Sequence, residues 1–89
     1  MGKMVMQYDV KTPSPDADIE AMIQDIRNNL MEGFIMQEKV EIKPLFFGIK
    51  AAVCQFVTDE DPERQDQIEN YLNNLESTGE WELSFISRL

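Results

Sequence analysis

Apolar and polar residues alternate from Lys3 to Lys11, which is the period of a strand with one buried face. The apolar positions of this segment are Met4, Met6, Tyr8 and Val10. A break with two prolines follows, in which Ser14 is expected to cap a helix that has Pro15 in its first turn. Apolar residues then recur at helical spacing from Ile19 to Leu30, and Gly33 is expected to end this first helix.

The middle of the chain predicts two strands joined by a turn. The first covers Gln37 to Leu45, and Pro44 near its end is typical of an edge strand, where a hydrogen-bond donor can be missing. The turn is Phe46-Phe47-Gly48. From Ile49 to Thr58 the residues are almost continuously apolar, which predicts a central strand that is buried on much of both faces.

The last third of the chain predicts a helix and a strand. Either Glu60 or Asp61 is expected to cap the helix, with Pro62 in its first turn and Gly79 closing it. Its apolar stripe is Ile68, Tyr71, Leu72 and Leu75. The final strand, Glu80 to Leu89, alternates throughout. This alternation predicts one face with Trp81, Leu83, Phe85 and Leu89, and another with Glu82, Ser84, Ile86 and Arg88.

The element order β-α-β-β-α-β predicts an α+β fold, a ferredoxin-like βαββαβ sandwich with a four-stranded antiparallel sheet and two helices on one face. Right-handed crossovers favour the strand order 4-1-3-2. In that order the Phe46-Phe47-Gly48 turn and Arg88 lie at opposite ends of the sheet, about 27–30 Å apart. The length of 89 residues supports one hydrophobic core, so residues 1–89 are predicted to form a single domain.

The net charge of the chain limits the classes of partner that we expect. Seventeen acidic residues outnumber eight basic ones, and the basic residues form no stripe. Nucleic acid and anionic membrane surfaces are therefore not expected as direct partners. Between Asp59 and Glu82, Arg64 is the one basic residue among nine carboxylates. This acidic segment is interpreted as a solvated helix face, and a docking surface for a basic partner is the alternative.

The missing residue types exclude several kinds of chemistry. The chain has no histidine and one cysteine, Cys54, so it cannot form a Ser-His-Asp or Cys-His nucleophile system, an internal disulfide or a four-thiolate cluster. We therefore expect no catalytic residue, no metal ligand, no cofactor and no enzymatic activity. A helix needs about 20 apolar residues to span a bilayer, and no apolar run in this sequence is that long. No secretory signal is visible. The expected compartment is the cytoplasm.

Two features of the sequence point to a protein partner. Two adjacent aromatic residues, Phe46 and Phe47, stand at a turn where a small domain cannot easily bury both rings, and Arg88 places a cation in a chain of net charge −9. Trp81 is expected to close the core against the second helix, with an exposed interface anchor as the alternative.

In these residues the chain resembles archaeal translation elongation factor 1-beta and the guanine nucleotide exchange domain of its eukaryotic relatives. The similarity covers essentially the whole sequence. It is carried by Phe47-Gly48-Ile49-Lys50 after a proline-containing strand, by Val57-Thr58-Asp59-Glu60-Asp61 before the second helix, and by Ser87-Arg88-Leu89. The resemblance implies a factor that binds elongation factor 1-alpha, GDP-bound or nucleotide-free, and accelerates GDP release so that GTP can rebind.

The resemblance also implies roles for particular residues. In eukaryotic members an aromatic residue before Gly-Ile-Lys contacts a second domain of the partner, and a lysine near the C-terminus approaches its magnesium site. Phe47 matches that aromatic residue, and Arg88 stands in place of that lysine. The implied partner-binding residues are Phe46, Phe47, Gly48, Ile49, Lys50, Ser87, Arg88 and Leu89. The free protein is expected to be a monomer.

The alternative is a small-molecule-sensing or oligomerisation module of ferredoxin-like fold without exchange activity. Such a module pairs through an exposed sheet face or an edge strand, and Val5 and Ile86 favour it. It would self-associate or bind a metabolite alone, whereas an exchange factor is silent until its GTPase is added.

Overall fold

Five strands and two helices follow one another in the computed structural model, which describes residues 2–89. The elements are β1 (Lys3–Lys11), α1 (Ile19–Asn28), β2 (Phe34–Met36), β3 (Glu41–Pro44), β4 (Lys50–Asp59), α2 (Pro62–Asn74) and β5 (Trp81–Arg88). Neither helix in this part of the chain is long and apolar enough to cross a membrane.

The strands form one antiparallel sheet in the order β2-β4-β1-β5, in which β3 also pairs with β4. The central pair, β1 and β4, is matched over nine residues, from Lys3 opposite Asp59 to Lys11 opposite Ala51. The predicted α+β antiparallel fold and its strand order are confirmed. The strand count differs by one, because the edge beyond β4 consists of two short strands.

The predicted strand Gln37 to Leu45 is therefore wrong in its bounds. Met36 lies opposite Phe56 and Glu41 opposite Val53, so four residues of the edge bulge out beside two residues of β4. Arg27 of α1 holds this excursion, since its Nη2 atom lies 3.4 Å from the Gln37 carbonyl oxygen and 3.3 Å from that of Glu38. The excursion is two residues longer than the segment of β4 beside it. Because this difference is even, the predicted alternation of Glu41, Ile42 and Lys43 is preserved.

The first helix is shorter than predicted at both ends. Asp18, and not Ser14, caps it, with Oδ1 accepting hydrogen bonds from the backbone N–H groups of Glu20 and Ala21 at 3.0 and 3.3 Å. The helix ends at Asn28, and Gly33 instead introduces β2 with a φ of 93°. The Thr58 hydroxyl donates to the Gly33 carbonyl oxygen at 2.6 Å, which ties this glycine to β4.

The start of α2 agrees with the prediction, because Asp61 caps it and Pro62 is its first residue. The helix ends at Asn74, before Gly79. Gly79 is required for a different reason, which is a close approach to β1. A Cβ atom at this position would lie 2.7 Å from the Thr12 carbonyl oxygen, and the Gly79 N–H donates to the Lys11 carbonyl oxygen at 2.8 Å.

The core lies between the two helices and one face of the sheet, called here the helix face; the other is the open face. Its fully buried members include Met6, Tyr8, Val10, Met22, Ile26, Cys54, Phe56, Ile68 and Leu72. Trp81 packs at the edge of this core, with its ring centroid 5.5 Å from that of Tyr8 and its Nε1–H donating to Asn73 of α2 at 2.8 Å. The predicted packing of Trp81 against the second helix is confirmed.

Strand β5 contains a bulge that its sequence pattern conceals. Gln7 lies opposite Phe85, but Tyr8 lies opposite Leu83, so Ser84 is an extra residue on β5. A short polar ladder fixes it. Gln55 donates through Nε2 to Gln7 Oε1 at 2.8 Å, and Gln7 donates through Nε2 to the Ser84 hydroxyl at 3.2 Å.

The bulge overturns the predicted faces of the last strand. Ile86 and Arg88 lie opposite Met6 and Met4, and are therefore on the helix face. Phe85 lies opposite Gln7 and is on the open face. The prediction of Phe85 together with Trp81 and Leu83, and of Arg88 together with Glu82, is wrong, because one inserted residue exchanges the faces of all residues after it.

Burial makes the Cys54 thiol a test of the core. Burial raises the pKa of the Cys54 thiol to about 12, so the reactive thiolate is almost absent at neutral pH. We expect Cys54 to be unreactive toward a thiol-specific chromogenic reagent at about pH 8 in the folded protein and to react fully in denaturant. Reaction of the folded protein at the rate of a free thiol would contradict this core.

Candidate functional site

The hairpin between β3 and β4 presents the two aromatic rings of the predicted site to solvent. Two backbone hydrogen bonds close it, from Leu45 N–H to the Ile49 carbonyl oxygen at 2.8 Å and from Ile49 N–H to the Phe46 carbonyl oxygen at 3.1 Å. Phe46 is 68% exposed and Phe47 is 86% exposed. Their centroids are 5.3 Å apart with the planes at 86°, an edge-to-face pair.

Phe47 adopts a backbone conformation that non-glycine residues rarely occupy. Its φ is 56°, and Gly48 follows with a φ of 79°. Left-handed backbone costs about 1–2 kcal/mol for a residue with a side chain, and an aromatic residue gains nothing locally that offsets it. Because its ring is also exposed, Phe47 stabilises the fold by neither conformation nor burial. This combination of strain and exposure makes Phe47 a candidate for an external contact.

The base of the hairpin is held firmly although its tip is exposed. Thr12 is buried, and its N–H donates to the Lys50 carbonyl oxygen at 2.9 Å while its hydroxyl accepts from Lys50 N–H at 3.3 Å. A groove of about 490 Å³ runs beside the tip, lined by Lys11, Thr12, Pro13, Phe46, Ile49, Gly79 and Glu80. The groove and the two rings beside it are called here the hairpin end.

Arg88 lies at the other end of the sheet. Arg88 pairs with Met4 of β1, and the backbone N–H of the following residue, Leu89, donates to the Lys3 carbonyl oxygen at 2.9 Å. The Arg88 side chain is 82% exposed, with Nε 3.2 Å from Glu60 Oε2. A groove of about 300 Å³ lies beside it on the helix face, lined by Met4, Glu60, Asp61, Pro62, Gln65, Ile86 and Arg88. We call this region the arginine end.

Ser87 and Leu89 face away from that groove. Ser87 lies opposite Val5 on the open face, and alternation places Leu89 on the same side. Leu89 is 73% exposed. The structure therefore does not bring the three predicted residues of this end onto one surface, because Arg88 is on the helix face and its two neighbours are not.

The register of the central strands sets the distance between the two ends. The hairpin base meets β1 at Thr12, and Arg88 meets it at Met4, so eight residues of extended chain separate them, or about 27 Å. The molecule measures 43 × 20 × 20 Å, and the sheet runs along its length. The predicted placement of the turn and Arg88 at opposite ends is confirmed. A single small ligand cannot contact both.

Glu60 is the residue of the arginine end that sequence reasoning did not assign to the site. It was a candidate cap of the second helix and a member of the acidic segment before that helix, with no contact to Arg88 expected. Nothing in its spacing singles it out, since its contact with Arg88 depends on the bulge that turns Arg88 to the helix face. The neighbouring carboxylate, Asp59, pairs instead with Lys3 at 2.7 Å, and this hydrogen bond holds the pKa of Asp59 below its usual value.

The remaining titratable groups with altered pKa values are structural. Burial is the largest cause of the raised pKa of Tyr8, followed by the hydrogen bond that its hydroxyl donates to Glu69 at 2.9 Å. Burial also raises the pKa of Tyr71 to about 12. In residues 2–89 no three cysteine or carboxylate side chains gather closely enough to hold a metal ion.

Comparisons with known proteins agree with the geometry. The profile of the family described as the EF-1 guanine nucleotide exchange domain matches residues 5–89. Elongation factor 1-beta of Pyrobaculum aerophilum is 32% identical over 88 residues, which cover 98% of this chain and 95% of the relative. The same-named protein of Methanocorpusculum labreanum is 28% identical over 89 residues, covering 100% and 99%. That of Caldivirga maquilingensis is 32% identical over 90 residues, covering 100% and 98%.

The strain at Phe47 predicts an unusual substitution effect. We expect Phe47→Gly to leave the free energy of unfolding unchanged or to raise it by up to about 1 kcal/mol, because relief of the left-handed conformation offsets the added chain entropy. Phe47→Ala is the matched control, since it removes the ring but keeps the Cβ atom and the strain. Urea denaturation measures both. A loss of more than about 1 kcal/mol in Phe47→Gly would show that the ring supports the fold.

Proposed function

Because the chain belongs to the EF-1 guanine nucleotide exchange domain family, we propose that it acts on elongation factor 1-alpha, promoting release of GDP so that GTP can rebind. The hairpin end and the arginine end are the partner-binding surfaces. The residues assigned to partner binding are Phe46, Phe47, Gly48, Ile49, Lys50, Ser87, Arg88 and Leu89, of which Ser87 and Leu89 lie on the open face beside the arginine end.

The observation that carries this assignment is the pair of exposed groups at opposite ends of a rigid sheet. Phe47 offers an apolar anchor of the kind that dominates binding energy at interfaces, and Arg88 offers a charge. A separation of about 27 Å suits a partner that places one domain at each end. The same two residues carried the family resemblance in the sequence, so two independent lines of argument support them.

The proposed mechanism is electrostatic. A GTPase holds the phosphates of GDP with Mg²⁺ and a lysine. Added positive charge near the metal repels Mg²⁺ and so weakens the binding of GDP to the GTPase. Arg88 supplies that charge from a side chain that is 82% exposed and needs little desolvation before it enters a partner's site. The hairpin end meanwhile anchors a second part of the partner and thereby fixes the orientation of the whole domain relative to that partner.

Exchange by this route changes rates without favouring either nucleotide. The factor binds best to the nucleotide-free GTPase, and by linkage it lowers the affinity of that GTPase for GDP and for GTP. Release of GDP then leads to GTP binding because of the cellular ratio of the two nucleotides. The protein forms and breaks no covalent bond in this role, so it is an exchange factor and not an enzyme in the usual sense.

The finer features of this proposal concern the state of the two proteins. Residues 1–89 act as one exchange domain, in the cytoplasm, and the free protein is a monomer. It engages elongation factor 1-alpha in its GDP-bound or nucleotide-free state. The net charge of −9 supports the monomer, because copies of so acidic a chain repel one another, and it supports a direct contact with protein and not with nucleic acid.

Exchange is measured by loading the cognate elongation factor 1-alpha with fluorescent GDP, chasing with excess unlabelled nucleotide and timing the release. We expect this protein to accelerate release at catalytic concentrations. Phe47→Ala and Arg88→Ala should each reduce the acceleration by about tenfold or more, as truncation of an interface hot spot does.

Two control variants separate these contacts from general effects. Leu83→Ala removes another exposed apolar side chain, and Lys39→Ala another exposed cation, and neither belongs to the two ends, since Leu83 pairs with Tyr8 midway along β1. Both should retain full acceleration. No acceleration by a folded sample would contradict the proposed function. Self-association or metabolite binding of that sample, followed by sedimentation and calorimetry, would then favour the sensing or oligomerisation module.

A further inference from the structure

The arginine end contains one contact that the proposed function leaves unused, the ion pair between Arg88 and Glu60. The nearest atoms are Arg88 Nε and Glu60 Oε2, 3.2 Å apart. The carboxylate therefore approaches the guanidinium at the nitrogen closest to the main chain. The forked end of the group, with its four remaining N–H donors, belongs to a side chain that is 82% exposed.

The main chain of Glu60 is held in place on both sides. Its N–H donates to the Gly2 carbonyl oxygen at 3.0 Å, which joins it to the start of β1. The next residue, Asp61, caps α2 by accepting from Glu63 N–H at 3.0 Å. The main chain of Glu60 thus lies at a fixed corner between β4 and α2, within reach of Arg88 for its carboxylate.

The bulge in β5 brings the guanidinium to this corner. Because Ser84 is an extra residue, Arg88 emerges on the helix face opposite Met4, where α2 begins. On a regular strand paired up to Leu83, Arg88 would emerge on the open face, away from Glu60. The extra residue Ser84 therefore sets the face of the sheet from which Arg88 emerges, and this face is the one on which the Glu60 carboxylate lies.

Arginine and lysine differ in what they can do at such a corner. A guanidinium has separate nitrogens, so it accommodates one carboxylate at Nε while its fork meets a second acceptor or faces a metal. A lysine has a single ammonium group at its tip. Held by Glu60, that ammonium would be drawn back from the partner, so a fixed carboxylate assists arginine and hinders lysine.

We propose that Glu60 is a positioning residue for Arg88, holding the guanidinium at Nε so that its fork points outward at the arginine end. This inference rests on the proposed function and deepens it. Glu60 contributes the orientation of the cation and does not itself touch the nucleotide or the metal of the partner. The pair is specific for arginine at position 88.

The test measures the concentration dependence of GDP release for four proteins: the unmutated protein, Glu60→Gln, Arg88→Lys and the double variant. In the arginine background, Glu60→Gln should lower the maximal release rate by about two- to fivefold, the range expected for an exposed ion pair, with the half-saturating concentration unchanged. In the lysine background the same change should raise the maximal rate, because it frees the ammonium.

Asp59→Asn is the matched control. It removes one negative charge and one exposed ion pair at the same end of the sheet, but its partner is Lys3. It should leave the release rate unchanged. The difference between the unmutated protein and Glu60→Gln should also narrow as salt is raised, since screening weakens the exposed pair.

A coupling of at least twofold between Glu60→Gln and Arg88→Lys, with the opposite signs given above, supports the inference. Equal effects in both backgrounds, or no effect in the arginine background, overturn it while the proposed function stands. No acceleration by the unmutated protein contradicts the proposed function and overturns this inference with it. Glu60→Gln should also shift the Nε–Hε resonance of Arg88 in the free protein, and an unchanged resonance would count against the contact.

Discussion

The pairing of β1 with β4 is the constraint on which the other features of this protein depend. Nine matched residues place Met6 opposite Phe56 and Tyr8 opposite Cys54, and the side chains on that face are buried under both helices. Burial of this face supplies the hydrophobic free energy of the fold. The same pairing also sets the length of the sheet, so the distance between the hairpin end and the arginine end follows from the core and not from either end itself.

Much of the fold was predictable because hydrophobic periodicity reports burial directly. The strands of the central pair and the second helix follow from which side chains must leave water, and the strand order follows from the handedness of the connections between them. The failures concern the hydrogen-bond register of the strands and the two ends of the first helix, which periodicity does not report. Ser84 is inserted between Trp81 and Phe85, where the apolar residues alternate regularly, and the edge from Gln37 to Val40 departs from regular pairing beside Arg27 of α1, which contacts the Gln37 and Glu38 carbonyl oxygens. These are long-range contacts that no local pattern contains.

The candidate site divides in the same way. Exposure of Phe47 followed from its place at a turn in a small domain, and the position of Arg88 along the sheet followed from the strand order. The side of the sheet from which Arg88 emerges, and hence its contact with Glu60, did not, because both depend on the bulge. The groups at the two ends contribute little to stability, since one is strained and the other is solvated. The core and the candidate site are therefore largely separate sets of residues.

The bulge also changes how the outer edge of the sheet meets another chain. Strand β5 has one edge paired with β1 and one free, and exposed apolar residues such as Leu83 and Ile86 flank the free edge. A long, regular edge of this kind is a template for further strands and leads to aggregation. The extra residue at Ser84 interrupts the row of backbone donors and acceptors and twists it locally. The irregularity that sets the face of Arg88 thereby also makes this apolar edge a poorer template for another strand.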